Sequence, residues 1–138
     1  MTAHDLAARL AEAARESKVA LRRAADGESA GEDRVEDGVA HVVADAVVAD
    51  SAAVVLFGSD RRLRPILGAR SLVAHAVPGA LVASYGDALA RFSGAGRMIS
   101  ICGPSRTADI EKTLVVGVHG PREVTIVLYD GPTGTPSG

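Results

Sequence analysis

Gly103, Ser105, Arg106 and Thr107 follow directly on the apolar run Met98-Ile99-Ser100-Ile101-Cys102. The pattern reads as a buried strand, a glycine-containing turn and the start of a helix at Thr107. Backbone N–H groups at a helix N-terminus lack intrahelical partners, and the helix dipole adds partial positive charge there. A turn of this kind at the carboxyl end of a strand suits a phosphate or a carboxylate. The Arg106 guanidinium can clamp a carboxylate through two hydrogen bonds. Asp109 and Glu111 come next; they either stabilise the first helical turn or orient Arg106. The same residues have a plainer reading, in which Ser105 or Thr107 caps the helix and Arg106 pairs with Asp109 on the surface.

His119 lies between Val118 and Gly120 in Gly117-Val118-His119-Gly120-Pro121. A histidine in such a loop can exchange protons near neutral pH, or can fix the loop through backbone hydrogen bonds. His4, His41, His75 and Cys102 have no metal-ligand spacing among them, so no metal and no cofactor are expected. Cys102 reads as a small buried hydrophobe, with a reactive thiol as the alternative. Arg61, Arg62 and Arg64 read as a solvated face, or as a surface for an anionic ligand or a partner subunit. Spacing alone assigns a catalytic role to none of these side chains.

These residues need a scaffold. Residues 3–25 predict a helix capped by Thr2, with Leu6, Leu10, Ala13, Ala14 and Leu21 along one stripe. Residues 26–38 are acidic and glycine-containing, and read as a linker. Beyond them strands and helices alternate. Val39–Val43 suggests a strand or a helix start, and 44–49 a short helix. Ala52–Phe57 predicts a buried strand ended by Gly58. Asp60–Leu67 predicts a helix regular only in its first turns, because Pro65 lies inside it. Ser71–Val77 predicts a strand, stopped by Pro78-Gly79. Ser84–Phe92 predicts a helix facing inward through Ala88, Leu89 and Phe92. Arg97–Cys102 predicts a strand, Thr107–Val116 a helix and Val124–Tyr129 a last strand. The division expected is a helix and linker over 1–34, an α/β domain over 35–130 and a flexible tail over 131–138. Continuous Val/Ile/Leu strands alternating with helices imply a mainly parallel sheet covered on both faces.

Composition narrows the function. The 138 residues suit one domain, and 47% hydrophobic content suits a globular core. Aromatic residues make up 3%, and the net charge is −2. Neither stacking platforms nor a basic surface are available for nucleic acid or for an anionic membrane. No apolar run approaches the roughly 20 residues of a membrane span. The charged N-terminus, from His4 and Asp5, does not resemble a secretory signal, so a cytoplasmic protein is the expectation. The single cysteine excludes a disulfide framework and a cluster ligated by this chain's cysteines alone.

The stretch Ile101–Glu111, with Leu114–Pro121 and the strand after it, resembles the C-terminal signature of the lactate-utilization (LUD) domain family. Upstream, Ala44–Leu56 is similar to the family segment in which an acidic residue and a Thr-Gly-Thr turn precede a strand. The resemblance covers roughly residues 39–130. It implies a three-layer α/β/α, Rossmann-like fold, related to the sugar-phosphate isomerase and CoA-transferase superfamily. It also implies an accessory, non-redox part in oxidation of L-lactate to pyruvate, beside partner proteins that carry the iron–sulfur clusters. Two other functions stand beside it: a protein or enzyme that takes a small phosphorylated or carboxylated metabolite, and a scaffold that has lost its ligand site. Where the family has Glu-Thr-Gly-Thr, this chain has Asp50-Ser51-Ala52-Ala53. Asp50 and Ser51 keep the chemistry, so they join Gly103, Ser105, Arg106, Thr107, Asp109, Glu111 and His119 as expected ligand contacts. Ala52 and Ala53 remove a glycine and a hydroxyl. A homodimer is a further expectation, covering apolar surface left by the short N-terminal region.

Overall fold

A computed structural model describes residues 2–92, 96–102 and 121–130, and the backbone of 107–109. Three helices and ten strands build two five-stranded sheets within these residues. Helix α1 spans Ala3–Glu16 and opens with a reciprocal capping box between Thr2 and Asp5. It is shorter than the sequence predicts. Val19 N–H bonds the carbonyl of Ala14 and Lys18 N–H that of Arg15, with Lys18 at φ 60°. This is the Schellman ending of a helix, with lysine where glycine is usual. The chain then turns into strand β1, Ala20–Arg23.

The first sheet runs β1, β10 (Glu123–Leu128), β6 (Ser71–Ala76), β3 (Val39–Val43), β2 (Arg34–Glu36). Its first four strands are parallel, and only β2 is antiparallel. The expected mainly parallel sheet is this one. The second sheet runs β7 (Leu81–Val82), β4 (Ala46–Val48), β5 (Ala53–Gly58), β8 (Arg97–Ile101), β9 (Thr107–Asp109). It is antiparallel apart from β4 with β7. The short helix expected over 44–49 is strand β4. Val47 and Val48 are buried on opposite faces there, and two-sided burial favours an extended β-branched pair.

The main core lies between the sheets. Val54, Leu56, Ile99 and Ile101 of the second sheet meet Val42, Leu72, Ile126 and Leu128 of the first. Leu10 of α1 and Leu63 and Ile66 of α2 (Asp60–Leu67) complete it. Helix α2 runs through Pro65 to its end. Helix α3, Tyr85–Arg91, covers the opposite face of the second sheet with Ala88, beside Val48, Val55 and Met98. Phe92 packs on Phe57, with ring centroids 5.3 Å apart. Leu89, expected inside, is 47% exposed. Pro78–Ala80 forms one 3-10 turn before β7. The outer face of the first sheet carries Val127 and Tyr129, covered by Ala30 of the acidic segment. The architecture is α/β. No helix among the described residues is long and apolar enough to cross a membrane.

Candidate functional site

The turn from β4 to β5 carries Asp50, Ser51 and Ala52. Helix α1 holds it twice: Arg9 forms an ion pair with Asp50, and Ser17 Oγ donates to the Ser51 carbonyl at 3.4 Å. Ala52 is fully buried at φ 57°. This is the left-handed backbone region that glycine enters freely and alanine enters at a cost of about 1–2 kcal/mol. Ala52 stands where the resembling family has its glycine. A glycine at this position would take the same conformation without that cost.

Register brings the two candidate segments together. Val54, just after this turn, pairs with Ile101, and Ile101 pairs with Thr107. The 50–53 turn, Cys102 and the start of β9 thus share one end of the second sheet. Tyr85, at the start of α3, reaches the same place. Its N-terminal neighbour Ser84 caps the helix by accepting from Asp87 N–H. The Tyr85 hydroxyl lies 2.8 Å from Ser100 Oγ and 2.8 Å from Cys102 Sγ, and Ser100 Oγ lies 3.3 Å from that sulfur. Ser100 is buried in mid-strand. Ser51 Oγ is also buried, without a well-formed hydrogen bond among the described residues. It is close enough to favour slightly the ionised form of Tyr85. Burial, and then the bond to the Cys102 thiol, outweigh it and push the phenol above its ordinary range. Tyr85 is therefore a neutral donor and acceptor at physiological pH.

Three hydroxyls and a thiol at one point can recognise a hydroxyl or carbonyl group. A ligand hydroxyl or carbonyl that bonds Ser51 Oγ would add a hydrogen bond to a buried group that has no well-formed one among the described residues. None of the four groups is an evident general base, so the arrangement favours binding over activation of a nucleophile.

Of the helix expected over Thr107–Val116, the start is corrected, and residues 110–116 lie outside the described residues. Thr107–Asp109 is strand β9, antiparallel to β8. Thr107 therefore opens a strand and not a helix, so it offers neither a helix dipole nor the free N–H groups of a helix N-terminus. The expectation failed because the Thr-Ala-Asp stretch carries cap-like residues, which serve strand ends as readily. Gly103, Ser105, Arg106, Glu111 and His119 lie outside the described residues, as do the side chains of Thr107 and Asp109. Of the expected contacts, Ser51 lies beside Tyr85, and Asp50 in the same turn pairs with Arg9 of α1. Sequence reasoning missed Tyr85 and Ser100. Ser100 was visible as a lone polar residue in an apolar strand; Tyr85 gave no signal.

Two other polar clusters lie elsewhere. His75 Nδ1 is 2.7 Å from the Tyr129 hydroxyl, and His75 Nε2 is 3.4 Å from His41 Nδ1. Burial holds both imidazoles below their ordinary pKa; for His41 the charge of Arg34 adds to this, and for His75 His41 does. Arg62 donates to Asp33 Oδ2 at 2.7 Å, to Asp45 Oδ2 at 2.6 Å and to the Val43 carbonyl at 3.1 Å, and also bonds the Phe57 carbonyl. Burial opposes its charge, yet the two carboxylates together raise its pKa. Among the described residues no trio of His, Cys, Asp or Glu is arranged to hold a metal.

This α/β chain has clear relatives. The LUD domain matches residues 42–129; the chain belongs to the LUD-domain family. It is 38% identical over 94 residues to lactate utilization protein C of Shouchella clausii, covering 62% of this chain and 41% of that protein. It is 56% identical over 34 residues to lactate utilization protein C of Oceanobacillus iheyensis, covering 22% of this chain and 15% of that one. The chain thus spans less than half the length of either relative. The crystal structure of a DUF162 family protein from Deinococcus radiodurans superposes with a TM-score of 0.60 at 10% identity, covering 93% of this chain and 98% of that one. At that identity the likeness is one of fold.

Proposed function

We propose that this chain serves lactate utilization as an accessory, non-redox component of L-lactate oxidation to pyruvate. The observation that carries the reading is the 38% identity to lactate utilization protein C across 94 residues, within a LUD-domain match. One cysteine cannot ligate an iron–sulfur cluster alone, so electrons pass through partner proteins that hold such clusters. The site chemistry supports a small hydroxy or keto acid as ligand. Ser51, Tyr85 and Ser100 offer hydroxyls to its hydroxyl or carbonyl oxygen, and Arg106 is the candidate for its carboxylate.

The test is a thermal-stability titration with L-lactate, pyruvate and phosphorylated sugars, using wild-type protein and Arg106→Ala. The expected result is stabilisation by lactate or pyruvate that weakens at least about tenfold in the variant. Stabilisation by a phosphorylated sugar alone moves the chain to the wider metabolite-binding reading. Ligand binding unchanged by Arg106→Ala removes Arg106 from the site. Co-purification with iron–sulfur proteins tests the partner assignment separately.

A further inference from the structure

A cavity of about 320 Å³ opens on the other side of the molecule, between the edge strand β2, the acidic segment before it and helix α2. Its walls are Val35, Pro65 and Ile66, with Arg34, Arg61 and Arg62 around them and Asp33 beside them. This volume is at the lower end of the range of small-molecule sites, and such sites join an apolar body to a few placed polar groups.

Val35 is one of two large apolar side chains left exposed among the described residues, at 43%. It stands on the wall of this cavity, where an apolar group would remove it from water. The three arginines are not equivalent. Arg62 is fixed by Asp33, Asp45 and two backbone carbonyls, so it is rigid and already neutralised. Asp33 is occupied in turn, accepting from Arg62 and from Val43 N–H at 3.0 Å. Arg34 faces Glu36 at 3.6 Å and bonds the carbonyls of Ala30 and Glu32. Arg61 alone has no carboxylate or carbonyl partner among the described residues.

We propose that this cavity binds an aliphatic monocarboxylate, with its carboxylate on the Arg61 guanidinium and its hydrocarbon chain against Val35, Pro65 and Ile66. One unneutralised guanidinium matches one negative charge, and its planar fork fits a carboxylate through two parallel hydrogen bonds. The apolar wall selects against small hydrophilic acids. This site is separate from the hydroxyl cluster at Ser51 and does not depend on its function.

The experiment is an NMR titration of the whole chain with the straight-chain series from acetate to hexanoate and with hexanol, following the Val35 methyls and Arg61 Nε–H. Hexanoate is expected to shift both signals. Each added methylene should tighten binding about threefold to fourfold until the wall is covered. Hexanol should bind at least about tenfold more weakly than hexanoate. Arg61→Gln, an exposed substitution, should weaken hexanoate at least about tenfold while the Val35 methyls still respond. Arg64→Gln, one turn away and outside the cavity, should change nothing. Affinity independent of chain length, equal binding of hexanol, or an unchanged Arg61→Gln variant would each overturn the proposal.

Discussion

Removing the Arg62 guanidinium leaves Asp33 and Asp45 without their shared cation, and Val43 and Phe57 each with a carbonyl that has lost a donor. The Arg62 side chain is 25% exposed, so water relieves only part of that loss. Arg62→Met is expected to destabilise the fold by roughly 2–3 kcal/mol, somewhat below the range for fully buried pairs. Urea denaturation checks this, and a change under 0.5 kcal/mol would contradict it. At Ala52 the backbone decides. Ala52→Gly should stay within about 1 kcal/mol, because relief of the left-handed strain offsets the lost methyl and the freer unfolded chain. Ala52→Val should cost about 2–3 kcal/mol, since a β-branched residue suits neither the φ of 57° nor the full burial. The histidines set a pH dependence. His41 and His75 have folded pKa values below the ordinary 6.5. The unfolded chain therefore binds more protons below that pH, and stability is full above about 6.5 and falls as pH drops through it. Glu28, drawn down to about 2 by Arg22, contributes stability above its ordinary 4.5 that is lost further down. Denaturation midpoints at pH 7.5 and 5.5 should differ in wild type, and the difference should shrink in His75→Gln to the part that His41 supplies. Equal midpoints in wild type would contradict this account.

The elements that the sequence made legible are those with one dominant cause. Ala53–Gly58 and Ser71–Ala76 are apolar runs ended by turn residues, and Ser84 is a capping serine before α3. The rest depended on partners distant in the chain. The end of α1 carries no glycine, because Lys18 takes the left-handed position, so the predicted helix ran on through β1. Strand β4 looked helical because alanine and valine favour either state until both faces are buried. A buried antiparallel strand carries the same continuous apolar run as a parallel one, so the second sheet's direction was not visible. At the site, Asp50 and Ser51 were legible through family resemblance, whereas Tyr85 joined them only through the packing of α3 on β4 and β7. The helix end offers a direct check. Lys18→Gly should stabilise the protein by about 0.5–1 kcal/mol, because glycine relieves the φ of 60° at an exposed position. A loss of stability would contradict the Schellman assignment.

Across the whole molecule, α1 links both sheets. It packs on β1 of the first and β7 of the second, and Arg9 and Ser17 reach the 50–52 turn. The N-terminal segment therefore helps to shape the candidate site. The most direct measurement of the central claim is a calorimetric titration of L-lactate and pyruvate into wild type, Ser51→Ala and Tyr85→Phe. Each variant loses one hydroxyl from the cluster with little change in shape. Binding to wild type is expected, with a loss of about fivefold to thirtyfold in each variant, the equivalent of one or two hydrogen bonds. Binding of equal strength in all three proteins, or no binding of either acid to wild type, would contradict that claim.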